Sequence, residues 1–449
     1  MNQNQVILKS IVWLSLFISV IYAMSSCSKG KEPDGKIPPY DPNQAFKLTE
    51  FLPDSGGMST QVILKGQNFG NDASAIKVYF NNKLAKVIRA AGELAYVLAP
   101  RLPGDTCIIS VVNGKDSIQY PKPFYYKALV QVSTITGTPH AASETLDGTL
   151  VDARFNSPWY IAVDKEKNIL VGEWKARARM VNEERNSVIT LLNTSSAGEV
   201  ASGCTDLNGE TFYFPMNGGP YYYEFDPEKQ WLARRINPTI KAGDNFDFSK
   251  KYSLAMSEID GMLYTITTNG DLVKINTKTR EASLVKTGIL KDRVQGILQV
   301  YLCFHPIDKN MLYIVNPSSM MPQDGPIPGT DMIYRMDMRT LELEEYAGTG
   351  IKGHSDGPKE TAQFNNPCQI NFDQDGNMYV GDTDNFCVRR ISPEGVVSTI
   401  AGLPGISGYL DGAPDEALFN RFWGMKIDPE GTLYIADYYN KCIRKLTIQ

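Results

Sequence analysis

Asp382, Asn385 and Arg389 recur as Asp437, Asn440 and Arg444, each 55 residues further along the chain. A carboxylate, a carboxamide and a guanidinium side by side could hold a polar ligand or assist proton transfer. Repetition in register is instead what a scaffold does, with Asp and Asn capping turns and Arg forking onto a carboxylate between adjacent repeats. The stretch Asp373-Gln374-Asp375-Gly376-Asn377 begins like a calcium loop, yet it lacks the glutamate that such a loop carries at its twelfth position, and it reads as a hairpin turn. Three histidines, His140, His305 and His354, are all the imidazole the chain has. No nucleophile elbow, zinc-protease helix or phosphate loop occurs, so no catalytic residue, metal or cofactor is assigned. Apart from Cys27, the cysteines are Cys107, Cys204, Cys303, Cys368, Cys387 and Cys442, with no paired metal-ligand spacing; they read as small buried hydrophobes.

The elements that must position these residues announce themselves by repetition. Asp356-Gly357, Phe364, Asp373, Tyr379 and Asp382 match Asp411-Gly412, Phe419, Asp428, Tyr434 and Asp437 without a gap, and Asp147-Gly148, Phe155 and Asp164 open a third copy. Four short strands per unit at this period mean a propeller. The unit resembles the NHL repeat, strongly over 131–175 and 346–449 and weakly between. Three further turn-and-strand pairs, at Asp206–Phe214, Ile259–Thr265 and Pro306–Ile314, bring the count to six blades of about 53 residues over 131–449. Val132-Ser133-Thr134-Ile135 is the twin of Val397-Ser398-Thr399-Ile400, the outermost strand of a blade, whereas the chain ends just after the equivalent Ile443-Arg444-Lys445-Leu446. The spacing therefore predicts that Val132 to Ile135 supplies the missing outer strand of blade six and closes the ring, leaving no open pair of sheet edges.

With that frame, aromatic side chains gather at one end of the blades. Trp159, Tyr160, Phe422 and Trp423 enter innermost strands, and Trp174, Phe386, Tyr438 and Tyr439 occupy loops between second and third strands, which lie on the same face. Such rings stack on the C–H faces of sugars while neighbouring polar groups bind hydroxyls. Trp159, Tyr160, Trp174, Phe386, Trp423, Tyr438 and Tyr439 are therefore the candidate glycan-binding residues. Aromatics also seal propeller funnels, and the sequence leaves both readings open. The insertion Asn316 to Asp331 extends a loop toward the same mouth, and Tyr221-Tyr222-Tyr223 reads as continuing a strand. Some NHL-type propellers are lyases with a histidine-held metal on the axis; here His140 and His354 sit at different offsets before their Asp-Gly pairs, which does not favour convergence.

Ahead of the repeats, Lys9 and the apolar stretch Ile11 to Ala23 form an export signal too short for a comfortable membrane span. Met24-Ser25-Ser26-Cys27 resembles a bacterial lipobox, which makes Cys27 the expected lipidation site, and the polar residues after it resemble the tether of Bacteroidetes lipoproteins displayed on the outer membrane. Residues 1–27 are thus the signal and 28–44 a Pro-, Gly- and charge-rich linker. Residues 45–127 alternate in short strands broken by turns, as in a sandwich. Pro53-Asp54-Ser55-Gly56-Gly57 and Leu64-Lys65-Gly66-Gln67-Asn68-Phe69-Gly70 resemble the TIG/IPT family of immunoglobulin-like domains. The expected fold is all-β: an immunoglobulin-like β-sandwich, then a six-bladed β-propeller closed by pairing of N- and C-terminal strands. A net charge of −5 with no basic stripe gives nucleic acid no purchase. The resulting expectation is a non-catalytic surface lipoprotein that binds a polysaccharide or oligosaccharide beside a TonB-dependent outer-membrane transporter. A protein-interaction scaffold and a lyase are the rivals, and the glycan half of the reading rests on analogy.

Overall fold

The computed structural model describes residues 37–448 except 102–105, 140–143, 176, 195–197, 295–297 and 318–328. The expected signal, Cys27, the linker up to residue 36, His140 and most of the 316–331 insertion lie outside the described residues. The chain divides into two compact units, one ending at Ala128 and the other running from Leu129. Only short helical turns, Pro227–Lys229 and Thr383–Asn385, interrupt the strands among the described residues.

In the first unit a seven-stranded sheet runs in the order Lys47–Leu52, Gln61–Gln67, Leu94–Leu98, Lys83–Ala91, Ile76–Phe80, Ile109–Asn113, Asp116–Gln119, beside a small sheet containing Thr106–Cys107 and Phe124–Tyr126. Alternation does the work, because Val62 and Leu64, Val78 and Phe80, and Ile109 and Val111 are fully buried while their neighbours face outward. Asn81-Asn82 forms the expected two-residue hairpin, with Phe80 paired to Lys83 and Asn81 in the left-handed region at φ 53°.

Six sheets make up the described part of the second unit. Blade 1 holds Pro158–Val163, Ile169–Glu173, Arg177–Asn182 and Ser187–Asn193 from inside outward; blade 5 holds Pro367–Phe372, Met378–Asp382, Cys387–Ile391 and Val396–Ala401. The innermost strands of blades 2, 3 and 4 carry Cys204–Thr205, Ala255–Met256 and Tyr301–Phe304, each contacting the next around a closed ring. Inner strands are sandwiched on both faces, as in Pro158–Val163, which is apolar and buried at every residue; outer strands such as Ser187–Asn193 are mostly open.

Blade 6 contains Gly424–Ile427, Leu433–Asp437 and Cys442–Ile448, and its fourth strand is Val130–Gly137 from the beginning of the unit. Val132 lies opposite Leu446 and Thr134 opposite Arg444, so the ring closes as its repeats require. The hairpin turns at Asp206, Asp260 and Asp308 lead into Phe212–Asn217, Leu263–Ile266 and Met311–Val315, also as expected.

The repeated charged residues are scaffold, with one correction. Arg389 does not bridge neighbouring blades; it binds the loop entering its own blade, through Asp356 Oδ1 at 2.6 Å and the carbonyls of Ser355 and Gln363, and then Asp382 Oδ2 at 2.7 Å within the sheet. Asp356 also accepts the amide of Thr399 on the outer strand, so one carboxylate ties loop, third strand and outer strand together. Arg444, Asp411 and Thr134 repeat this in blade 6, and Arg179, Asp147 and Thr190 in blade 1. An arginine pairing between blades would leave the entering loop without a partner for its carbonyls. Asp373 is likewise absorbed by its own turn, accepting the amides of Asp375 and Asn377, the Asn377 carboxamide and the Tyr379 hydroxyl.

Candidate functional site

Inner strands converge on the axis, and the side chains at their entry positions meet there. Tyr160 of blade 1 and Tyr301 of blade 4 touch through their hydroxyls at 2.6 Å, spanning the ring between opposite blades. At the equivalent position of the inner strands, Gln369 of blade 5 donates to Ser202 Oγ of blade 2 at 2.7 Å and accepts the Met425 amide of blade 6 at 2.8 Å. These cross-ring bonds, with the buried Cys368 thiol against the Trp423 carbonyl, plug the axis. Burial pushes the Tyr160 and Tyr301 hydroxyls well above the ordinary phenol range, so both stay neutral donors and acceptors.

The plug corrects part of the expected glycan face. Trp159 is only 5% exposed, Trp423 1% and Tyr160 0%, and all three belong to one core cluster. Their rings cannot stack on a ligand, because a large side chain at an entry position has nowhere to go but the crowded axis. Phe422, beside Trp423, is buried as well and packs on Phe419 with ring centres 5.4 Å apart.

The loop aromatics behave differently. Trp174, at the end of the second strand of blade 1, is 44% exposed, and Tyr439 is 45% exposed. The Trp159 ring lies 5.2 Å from Trp174 and 5.3 Å from Tyr438, and Tyr438 lies 4.9 Å from Tyr439. Four of the seven expected residues thus form a continuous aromatic ridge across blades 6 and 1, with Trp159 as its buried footing and Trp174 and Tyr439 as its open faces. The turns that present them are tight: Lys175 and Lys441 both sit in the left-handed region, at φ 62° and 52°. Phe386 is half-buried on blade 5 and has no ring contact with the ridge among the described residues.

Residue reasoning missed Glu199. It forms a backbone bridge with Trp174, and burial raises its carboxyl to about 7, against the opposing hydrogen bond with Asn217. Glu199 Oε2 and the indole N–H of Trp159 are both buried without a hydrogen-bond partner among the described residues, so the ridge is footed by one unsatisfied acceptor and one unsatisfied donor. Blade 2 lies in the stretch where the repeat is weak, and no register signal marked Glu199.

The remaining imidazoles do not meet. His354 bonds Thr399 on the outer strand of blade 5, while His305 packs on Phe372 near the exit of the inner strands. Past the plug, at that exit end, the axis opens into a cavity of about 420 Å³ bordered by Cys204, Cys303, Asn371 and Lys426. Register did carry a signal here: the position occupied by Asn371 and Lys426 in blades 5 and 6 is Ala162 in blade 1.

Among solved structures, one Bacteroides thetaiotaomicron protein of unknown function is 28% identical, with TM-score 0.74 over 92% of this chain and 100% of that one. Two others are described as auxiliary nutrient binding proteins. The one from Bacteroides thetaiotaomicron is 24% identical, with TM-score 0.58 over 91% of this chain and 99% of that one. The one from Bacteroides ovatus is 23% identical, with TM-score 0.58 over 92% and 100%. At that identity the last two establish a shared fold. No curated protein matches the sequence. Residues 47–126, which hold all the described strands of the first unit, match the IPT/TIG domain family.

Proposed function

We propose that this chain is a non-catalytic, lipid-anchored surface protein that captures an oligosaccharide or polysaccharide on the aromatic ridge of its propeller and works beside an outer-membrane transporter. The ridge carries the reading. Trp174 and Tyr439 expose ring area beside left-handed turn residues, and aromatic rings bind sugar faces with little side-chain ordering cost. Two structural relatives described as auxiliary nutrient binding proteins are in keeping with capture rather than conversion.

Trp174→Ala and Tyr439→Ala should each weaken binding to whichever purified polysaccharide the wild type retains by about tenfold or more. Both should leave the melting curve within about 0.5–1 kcal/mol of wild type, since an exposed ring contributes little to the fold. Affinity electrophoresis against a polysaccharide panel reads the first and calorimetry the second. Unchanged retention in both variants would remove the ridge as the site, and co-purification of an outer-membrane protein through the same face would install the scaffold reading.

The anchor has its own test. Cys27→Ser should abolish metabolic palmitate labelling and release the protein from the membrane fraction, because Cys27 is the residue expected to carry the acyl chains. Retained labelling would refute the lipid anchor.

A further inference from the structure

We propose that the cavity at the exit end of the propeller axis is a second binding site, which takes a sugar acid carrying one carboxylate, with Lys426 as its counter-ion. This does not rest on the aromatic ridge, from which the cross-ring Tyr160–Tyr301 and Gln369–Ser202 bonds separate it.

The argument starts from charge. Lys426 is half-buried on the inner strand of blade 6, and among the described residues its ammonium makes no ion pair or hydrogen bond. The other charged groups around the cavity are already engaged. Lys309 pairs with Glu258 at 2.6 Å, and Asp206 Oδ1 accepts the amides of Glu210 and Thr211 in its own turn. The thiols of Cys204 and Cys303 feel the Lys426 charge, but burial outweighs it and pushes Cys204 to about 12, so neither supplies a thiolate. His305 accepts two amides at Nδ1, from Ile307 and Asp308, which leaves Nε2–H as its donor, and burial lowers its affinity for a proton. The formal charges of the lining balance, Asp206 and Glu258 against Lys309 and Lys426, but the Lys426 ammonium alone has no direct polar partner among the described residues, and in these partly desolvated surroundings an anion placed against it is worth more than in water.

The rest of the lining narrows the ligand. One ammonium without arginines or a helix terminus matches a single carboxylate better than a phosphate dianion. Thr205, His305 and Asn371 Oδ1, whose own carboxamide N–H already donates to the Met425 carbonyl, offer hydrogen bonds to hydroxyls, while Phe372, Phe304 and Leu254 present apolar surface to a ring. A volume of about 420 Å³ lies within the usual range of small-molecule sites and accommodates a uronic acid or a disaccharide ending in one.

The test uses the full chain and four probes, glucuronate and galacturonate with glucose and galactose as neutral controls, followed by titration calorimetry. At least one sugar acid should bind saturably below about 1 mM, and about tenfold or more tighter than its neutral counterpart. Lys426→Met should lose at least about tenfold of that affinity, Lys426→Arg should keep most of it, and Trp174→Ala should leave it unchanged. The wild-type titrations decide the matter even if Lys426→Met folds poorly. Absence of saturation by both acids up to about 10 mM, equal affinity for the neutral sugars, or full affinity in a folded Lys426→Met protein would each overturn the proposal.

Discussion

Removing residues 131–137 should leave a propeller that no longer melts as one cooperative unit. The segment belongs to the outer strand of blade 6, paired from Gln131 opposite Thr447 to Gly137 opposite Cys442. Its loss would strip ladder hydrogen bonds from Cys442–Ile448, expose the packing surface of the fully buried Val132, and break the Thr134–Asp411 contact that joins the closing strand to Arg444. It would also open a ring into a sheet with a free edge, a template for aggregation. Two buried residues, Val132 and Thr136, and half a dozen ladder positions sum to about 5 kcal/mol or more, comparable with the whole stability of a typical domain. Circular dichroism and differential scanning calorimetry would show a broad or missing transition, with sedimentation detecting association. A sharp transition within a few degrees of wild type would mean that the closing strand contributes little. Val132→Asp offers a milder version at the same place, burying an unpaired charge where the native side chain has no exposure.

Arg389→Met should cost about 3–5 kcal/mol, because it abandons a charge rather than merely removing a contact. Arg389 and Asp382 are both fully buried, and the guanidinium uses its nitrogens on Asp382, Asp356 and the carbonyls of Ser355 and Gln363. Without it, Asp382 keeps only the Asn365 amide and the Asn385 carboxamide as partners. Adding Asp382→Asn to Arg389→Met should recover part of the loss, since a neutral carboxamide costs less to bury than an unpaired carboxylate, and a double-mutant cycle measures that coupling. Arg444→Met, whose partners repeat the arrangement through Asp437 and Asp411, should behave alike. A loss under about 1 kcal/mol in either single variant would contradict the structural role assigned to this repeated triad.

How much of this was legible in the residues follows from how local each feature is. The hairpins at Asp206, Asp260 and Asp308, the turn held by Asp373 and the 55-residue register are written in contiguous stretches, because a turn and the strand beside it satisfy one another's backbone groups. Ring closure was legible for a related reason: Val132 to Ile135 copies Val397 to Ile400, and identical strands need identical partners. The partner of Arg389 was less so, since its residue type announces a fork but not which loop will lie beneath it.

Local sequence could not separate Trp159 and Trp423 from Trp174 and Tyr439, for all four are aromatics at the same end of the blades. Tertiary structure separates them by distance from the axis: inner-strand entry positions are squeezed together by six converging blades, whereas loop positions further out face open space. The exit cavity arose in the same way. Ala162, Asn371 and Lys426 occupy one register position, and only assembly of the ring brings that position from blades 5 and 6 beside Cys204 and Cys303 of blades 2 and 4. Repetition along the chain specifies a blade and its neighbour, because those contacts are short-range; what stands at the centre depends on all six at once, and no single repeat contains it.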